Sequence, residues 1–332
     1  MFRMSTKTIE VSKSLSPSTA RPPIFDGSLL FQERFNRRPF MFSHSLADHS
    51  LFELGPLGDL CRSLRRRNER NVTFYLGNRP VTQGWKDPSR RSLTVEDGMK
   101  QIRESDSWIL LKSVQQDYEY RALLERAISE LEDLTGTQLR RQITWPDAYI
   151  FIASPGSVTP YHFDHESNFL LQIHGEKDVN LFAPEDRSIL SEEEIERYYV
   201  GYLSSATYRD EVQSKAEVFH LTPGLGVHHP VRAPHWVKNG NEYSVSFSIP
   251  LCLRQYDLQA RVYQANHYLR KLGLSPTPPG RSPWRDSIKM SILGLPRLRK
   301  PKTKYELLRY GIAPVLLGRW VSKRLKRHGR RR

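Results

Sequence analysis

The chain has 332 residues, of which 38% are hydrophobic and 26% are charged, so it is long enough to bury a sizeable core. This composition excludes a wholly disordered chain, and two cysteines, Cys61 and Cys252, exclude a disulfide framework. The sequence shows neither an apolar run of the ~20 residues that a membrane helix needs nor the apolar block of a secretory signal, so we expect a cytoplasmic protein.

The net charge of +15 is concentrated near the C-terminal end. Residues 281–332 carry 17 Lys and Arg side chains but only two acidic ones, whereas residues 1–280 carry 34 of each sign. The chain is therefore a neutral body with a basic extension. Such an extension attracts nucleic acid, a ribosomal surface or an anionic membrane through a salt-sensitive field, so peripheral contact with a membrane or the nucleoid is a further expectation.

The N-terminal part predicts a leader followed by helices. Residues 1–24 are rich in Ser, Thr and Pro, which predicts a flexible leader. Residues 25–144 predict a segment of helices and a few strands that packs on a later barrel. Its clearest elements are an amphipathic helix over 120–134 and a short helix that begins at Thr94.

Residues 145–255 predict a series of short strands separated by Pro and Gly turns. The predicted strands are 148–153, 161–164, 168–174, 178–182, 227–229 and 243–249, interrupted by one acidic helix over 191–199. Many short strands at close spacing favour a jelly-roll barrel, so the predicted fold is mainly β with flanking helices.

Residues 256–332 predict a basic helical extension. Apolar residues recur at helical spacing between Leu308 and Leu325, interleaved with Arg and Lys. The apolar stripe of this helix suits an anionic membrane, the barrel itself or a second copy of the chain in a homodimer. Charge patterning alone does not choose among these partners.

The stretch 159–177 holds the most informative side chains. Residues i and i+2 of a strand share a face, so His162 and Asp164 point the same way. An imidazole and a carboxylate on one face offer two ligands to a divalent metal. A third ligand would complete a two-His-one-carboxylate facial triad, which leaves adjacent positions of non-haem Fe(II) free for a bidentate co-substrate and O2.

The third ligand is expected on a later strand. Three histidines lie in the stretch 223–237, namely His228, His229 and His235. We favour His235, which follows a Pro-bounded turn, and keep His228 and His229 as alternatives. Glu166 would replace Asp164 as the carboxylate if the strand register slipped by two residues.

The motif spacing resembles that of the JmjC, or cupin-like, group of 2-oxoglutarate-dependent oxygenases. The resemblance covers about residues 25–255 and is closest to protein hydroxylases typified by the factor-inhibiting-HIF asparaginyl hydroxylase. His162-Phe-Asp164 matches the family's His-x-Asp, and Lys177, 15 residues after the first ligand, matches its 2-oxoglutarate-anchoring lysine. Pro230 and His235 match its Pro-x-x-x-x-His block, which supports the choice of His235.

This resemblance implies the cofactors and the roles of the site residues. The implied enzyme uses Fe(II), 2-oxoglutarate and O2, and forms succinate and CO2 while it hydroxylates or demethylates a protein side chain or a small molecule. Lys177, Thr159 and Tyr149 would bind the distal carboxylate of 2-oxoglutarate.

Further polar residues are implied at the other end of the co-substrate or around the metal. They are Asn168 and one of Ser246 or Ser248.

Two other functions compete with the oxygenase. A non-catalytic cupin-like sensor would keep the barrel and use the basic tail to bind nucleic acid or an anionic membrane. A cupin with Mn or Zn would perform isomerase or hydrolase chemistry, but Lys177 would then have no role. We expect His165 and His174 to be structural or outward-facing.

Overall fold

The strands pair antiparallel and form two sheets. The computed structural model describes residues 22–76, 80–82, 94–103, 107–292, 301, 303–304 and 306–309, and its strands are numbered here in chain order. They are β1 (Phe40–Ser43), β2 (Val72–Leu76), β3 (Ser107–Leu111), β4 (Ile143–Pro146), β5 (Tyr149–Ala153), β6 (Val158–His162), β7 (Ser167–His174), β8 (Lys177–Leu181), β9 (Glu217–Leu221), β10 (Leu225–His229), β11 (His235–Asn239) and β12 (Ser244–Leu253). The larger sheet has the order β1-β10-β7-β12-β5-β3-β2, with β4 paired to β12, and the smaller sheet has the order β6-β11-β8-β9.

Helices occur before, between and after the strands along the chain. They are α1 (Leu30–Arg34), α2 (Leu54–Arg67), α3 (Val95–Gln101), α4 (Tyr118–Thr135), α5 (Leu139–Gln142), α6 (Glu192–Tyr199), α7 (Arg254–Lys271) and α8 (Pro283–Ile292), with short 3-10 helices at Ser50–Phe52, Glu69–Asn71, Val114–Gln116 and Asp210–Lys215. Helix α4 begins after Asp117, whose side chain accepts from Glu119 N, and ends at Gly136, whose φ of 63° suits glycine. None of these helices, within the described part of the chain, is long and apolar enough to cross a membrane.

The two faces of the larger sheet pack against different partners. On β7, Phe169 and Leu171 belong to a core shared with residues of α2 and α4, whereas Leu170 lies in a second core with Val179 and Val237 of the smaller sheet. Because side chains alternate along a strand, the even-numbered residues of β7 face the space between the sheets. That space holds the candidate site.

The jelly-roll prediction is confirmed in its main features, with three corrections. Strands β1, β2 and β3 come from the segment expected to pack on the barrel, yet they are hydrogen-bonded into the larger sheet. Their runs of Phe, Val, Tyr, Trp and Ile suit a buried sheet. Ile24, placed in the leader, is fully buried, so the packed body begins before residue 25. Strand β6 ends at His162, so Asp164 follows the strand instead of lying in it.

Helix α8 and most of α7 lie within the predicted extension over residues 256–332. The apolar stripe that would support a homodimer or a membrane contact lies mostly in residues 310–332, which are outside the described residues. The remaining domain boundaries stay predictions.

Truncation of Phe169 tests the packing between the larger sheet and the N-terminal helices. This fully buried side chain packs against the rings of Phe25, Phe31, Phe35, Phe42 and His228. Phe169→Ala should lower the free energy of unfolding by about 3–5 kcal/mol, measured by urea unfolding. Val218→Ala, at a side chain that is 55% exposed on β9, is the control and should change it little. Equal effects of the two substitutions would contradict this packing.

Candidate metal and co-substrate site

The pairing of β6 with β11 places two histidines side by side. His162 at the end of β6 is the register partner of His235 at the start of β11, and their ring centroids are 4.2 Å apart. Register partners share a face of the sheet, so both imidazoles point toward the space between the sheets. The structure therefore brings together the two predicted histidine ligands.

Backbone carbonyls fix the orientation of both imidazoles. His162 Nδ1 lies 2.7 Å from Pro160 O, and His235 Nδ1 lies 3.0 Å from Ala233 O. A carbonyl oxygen only accepts, so each Nδ1 carries the hydrogen and each Nε2 is the ring nitrogen that can act as a metal ligand. Burial and the neighbouring His162 lower the pKa of His235 to about 3, which keeps that imidazole neutral.

The Asp164 carboxylate completes the group. Its Oδ2 atom lies 3.6 Å from His162 Nε2 and 4.0 Å from His235 Nε2, and the three ligand atoms all lie within 4.8 Å of one another. Two nitrogen atoms and one carboxylate oxygen around a common point are the donor set of a facial triad. The predicted ligands thus fit a divalent metal such as Fe(II).

The turn between β10 and β11 holds Asp164 near the histidines. Arg232 has a φ of 63°, which is rare for a residue with a side chain, and its N–H donates to Asp164 O at 2.9 Å. Its guanidinium stacks over Tyr256 and Tyr263 of α7, with centroid distances of 5.5 and 5.3 Å. Helix α7 therefore supports the turn that precedes His235 and that is hydrogen-bonded to Asp164.

The alternative ligands are placed elsewhere. His228 Nε2 accepts from Asn36 N at 3.1 Å and its Nδ1 donates to Asn168 O at 3.0 Å, so neither nitrogen is available. Glu166 Oε2 is bound by Lys304. His229 lies beside His235, with ring centroids 4.7 Å apart, but its ring nitrogens are outside the compact group of three ligands.

His165 has a structural role, as expected, but it is completely buried and not outward-facing. Its Nδ1 lies 2.9 Å from the Tyr199 hydroxyl and its Nε2 lies 2.8 Å from Asp257 Oδ1. It thereby ties the segment after β6 to α6 and α7. The ring of His174 stacks on Tyr243 at 4.1 Å.

Lys177 is a buried cation that has no counter-ion in the described part of the chain. It is 4% exposed, and burial alone lowers the pKa of its ammonium to about 7. Along β8 it alternates with Asp178 and shares a face with Val179 and Leu181, which line the space between the sheets. A buried ammonium without an anion is costly, so this position favours an anionic ligand.

A bulge brings Thr159 onto the same inner face. Thr159 and His162 are three residues apart and would point to opposite faces of a regular strand. The register shifts between His235 and Val237, however, so that Thr159 pairs with the inward-facing Val237. The sequence did not show this irregularity.

The predicted polar residues of the larger sheet form two separate pairs. Ser248 Oγ donates to Asn168 Oδ1 at 2.8 Å, whereas Ser246 Oγ donates to Gln172 Oε1 at 2.7 Å. Gln172 is also bound to two carbonyls at the end of β7, His174 O and Gly175 O. This arrangement favours Ser248 over Ser246 as the residue that acts with Asn168.

Tyr149 lies on β5 opposite Ser248. Burial raises the pKa of its hydroxyl well above the usual value, and the charges of Asp147, Glu166 and Lys304 act on it. The Tyr149 hydroxyl also hydrogen-bonds to the Asp147 side chain, and its contact with the distal carboxylate stays a prediction.

Lys304 is a residue of the site that the sequence did not reveal. Its Nζ lies 2.8 Å from Asp164 Oδ1 and 3.1 Å from Glu166 Oε2. Loss of hydration would raise the pKa of Asp164, but Lys304 and His162 hold it well below its usual range. The lysine lies 140 residues from Asp164 in a charge-rich extension, so no local pattern distinguishes it from the other basic residues.

Comparison with known families agrees with this geometry. A family model described as a cupin-like domain matches residues 36–249. The chain belongs to this family. The match spans every predicted ligand and co-substrate residue and ends before Lys304. It confirms the cupin-like resemblance, while the closer resemblance to the factor-inhibiting-HIF hydroxylase stays a prediction.

Solved structures show distant similarity. Escherichia coli YcfD is 18% identical over 86% of this chain and 71% of its own, with a TM-score of 0.48. A second structure of YcfD, described as a ribosomal oxygenase in complex with cobalt and 2-oxoglutarate, is 16% identical over 85% of this chain and 68% of its own, with a TM-score of 0.44. The DMSP lyase DddQ from Ruegeria pomeroyi DSS-3 is 16% identical over 32% of this chain and 39% of its own, with a TM-score of 0.22. A comparison with curated protein sequences finds no match.

Removal of a histidine ligand should abolish metal binding. We expect one Co(II) ion per wild-type chain by calorimetry, and His162→Ala or His235→Ala should weaken binding by more than the ~10–100-fold that loss of an outer hydrogen bond costs. His220→Ala is the control because this histidine is exposed on β9 and pairs with Asp178. Unchanged Co(II) binding in both ligand variants would contradict the assignment.

Proposed function

We propose that the protein is an Fe(II)- and 2-oxoglutarate-dependent oxygenase that hydroxylates a carbon of a protein side chain or a small molecule. The observation that carries this proposal is the lone buried ammonium of Lys177, on the same inner face as the ligand triad. A metal site alone would suit several cupin chemistries. A metal site with a buried cation beside it suits a co-substrate that has a chelating end and a second, anionic end.

The spacing along β8 supports this co-substrate. Leu181 of β8 pairs with His235, and Lys177 lies four residues before Leu181. Four residues of a strand span about 13 Å, part of which the four-carbon stem of the lysine covers. This separation leaves room for a short diacid such as 2-oxoglutarate between the metal ligands and the Lys177 ammonium.

The remaining site residues have roles that follow from their positions. His162 and His235, together with Asp164 Oδ2, would hold a divalent metal and leave other coordination positions for the co-substrate. Fe(II), 2-oxoglutarate and O2, when bound, supply the oxidising chemistry that yields succinate, CO2 and a hydroxylated substrate. The apolar side chains between the sheets, which include Leu170 and Val179, exclude water from this space.

Thr159 is proposed to donate its hydroxyl to the distal carboxylate, because the bulge turns it toward the space between the sheets. Asn168, oriented by Ser248, is proposed to contact the other end of the co-substrate. Ser246 is assigned only to orienting Gln172. Under this proposal Lys177 has a defined role, which the isomerase or hydrolase alternative does not provide.

The partners of the basic extension stay predictions, since residues 310–332 lie outside the described residues. YcfD is described as a ribosomal oxygenase, and a ribosomal partner for this chain is compatible with its basic extension. A truncation that tests tail binding should begin after Arg309. A deletion that begins at or before residue 304 would also remove Lys304 from the site.

Succinate release tests the proposed activity. Purified protein with Fe(II), ascorbate and 2-oxoglutarate should form succinate slowly without a prime substrate, and His162→Ala or Asp164→Ala should abolish the signal. Lys177→Ala should raise the KM for 2-oxoglutarate while it retains more of kcat, because it removes an anchor and not a ligand. Full succinate formation by the His162→Ala and Asp164→Ala variants would show that the triad is not the active site.

Lys177 should also make 2-oxoglutarate binding dependent on pH. Its pKa of about 7 in the free protein means that the ammonium is lost as the pH rises, whereas a bound carboxylate raises that pKa. The dissociation constant, measured by calorimetry with Mn(II), should therefore rise by up to about tenfold per pH unit above pH 7. Lys177→Arg keeps its charge and should give a flat profile between pH 7 and 8.5. Identical profiles for the two proteins would refute the anchoring role.

A further inference from the structure

The segment that carries Lys304 is packed against the helices beside the site. Leu307 is fully buried, and Leu308 is 7% exposed, in a core with residues of α6 and α7. Gln264 Nε2 of α7 donates to Leu307 O at 2.9 Å and to Tyr199 O at 3.0 Å. The ammonium of Lys304 also lies 5.5 Å from the centre of the Tyr198 ring. Lys304 is therefore held in place by packing on several sides.

Lys304 binds two carboxylates that lie two residues apart in the chain. Asp164 Oδ1 and Glu166 Oε2 both bind its Nζ, whereas Asp164 Oδ2 faces the two histidines. Glu166 is only 5% exposed, and its carboxylate pairs with this ammonium at 3.1 Å. One cation thus binds one oxygen of the ligand carboxylate and holds the second carboxylate.

We propose that Lys304 is a positioning residue that keeps Glu166 away from the metal, so that Asp164 alone supplies a carboxylate ligand. This inference rests on the metal site of the proposed function. Without the ammonium, the buried Glu166 carboxylate and the partly exposed Asp164 carboxylate would lack this cation, and a divalent metal would become the nearest compensating charge for both. Glu166 would then occupy one of the positions that a bidentate co-substrate needs. The C-terminal segment is in this way part of the active site.

The test compares Lys304→Met with the double variant Lys304→Met/Glu166→Gln. The visible absorption of bound Co(II) reports its ligand set, and calorimetry with Co(II) reports 2-oxoglutarate affinity. Lys304→Met should change the spectrum and weaken 2-oxoglutarate binding by about 10–100-fold. The double variant should restore both toward wild type, because glutamine no longer offers a carboxylate. Lys304→Arg should resemble wild type, since it keeps the cation.

Lys289→Met is the matched control. This lysine of α8 is 7% exposed and, like Lys304, pairs with a carboxylate, that of Asp286, but it does not contact the ligand residues. The Co(II) spectrum and the 2-oxoglutarate affinity of the Lys289→Met variant should equal those of wild type. Thermal unfolding of each variant separates a change at the metal from a change in folding.

Two results would overturn the inference. A wild-type Co(II) spectrum for Lys304→Met would show that the lysine does not control the ligand set, and a changed spectrum that the double variant fails to restore would leave Lys304 with a merely structural role.

If Lys304→Met does not fold, Glu166→Gln alone remains decisive. It should leave the Co(II) spectrum unchanged, and an altered spectrum would show that Glu166 is already a ligand. Wild-type protein that binds Co(II) but no 2-oxoglutarate would refute the proposed function, while the spectra would still test Lys304.

Discussion

The register of β6 against β11 is the constraint on which the candidate site depends. It places His162 opposite His235, and the bulge in the same pair turns Thr159 to the inner face. A shift by one residue would send these side chains to the outside of the sheet. The register is maintained on the other side of β11 by β8, where Leu181 pairs with His235 and Lys177 pairs with Asn239. One small sheet thus sets the positions of both the metal ligands and the proposed anchor of the co-substrate.

Two lysines of this site differ in their charged partners and therefore in their roles. Lys304 is paired with two carboxylates, and these raise its pKa well above the usual value despite the opposing effect of burial. Lys177 has no anion in the described part of the chain, and burial lowers its pKa to about 7. The first ammonium is satisfied by the protein and stabilises a fixed arrangement of ligands. The second lacks a partner until an anion binds, which is the property expected of a ligand-binding residue.

The sequence predicted the ligand triad and Lys177 because their spacing within β6 to β8 and around the 230–235 turn is local and matches a family pattern. It also predicted the jelly-roll character of residues 145–255 from alternating short strands. Three features could not be predicted in this way. The entry of β1 to β3 into the larger sheet depends on long-range pairing, the bulge at Thr159 leaves no mark in composition, and Lys304 meets Asp164 across 140 residues. His165 was expected to be structural or outward-facing, and its partner Asp257, 92 residues away, could not be predicted either.

Under the proposed function, three ligands hold one metal and leave adjacent positions for 2-oxoglutarate. The most direct measurement is an anaerobic titration of the Fe(II)-loaded protein with 2-oxoglutarate, followed by visible absorption. Chelation of the 2-oxo acid to Fe(II) should produce a metal-to-ligand charge-transfer band that saturates at one equivalent per chain. The band should be absent from His162→Ala, and succinate, which lacks the 2-oxo group, should not produce it. A wild-type protein that binds Fe(II) but develops no such band would contradict the account.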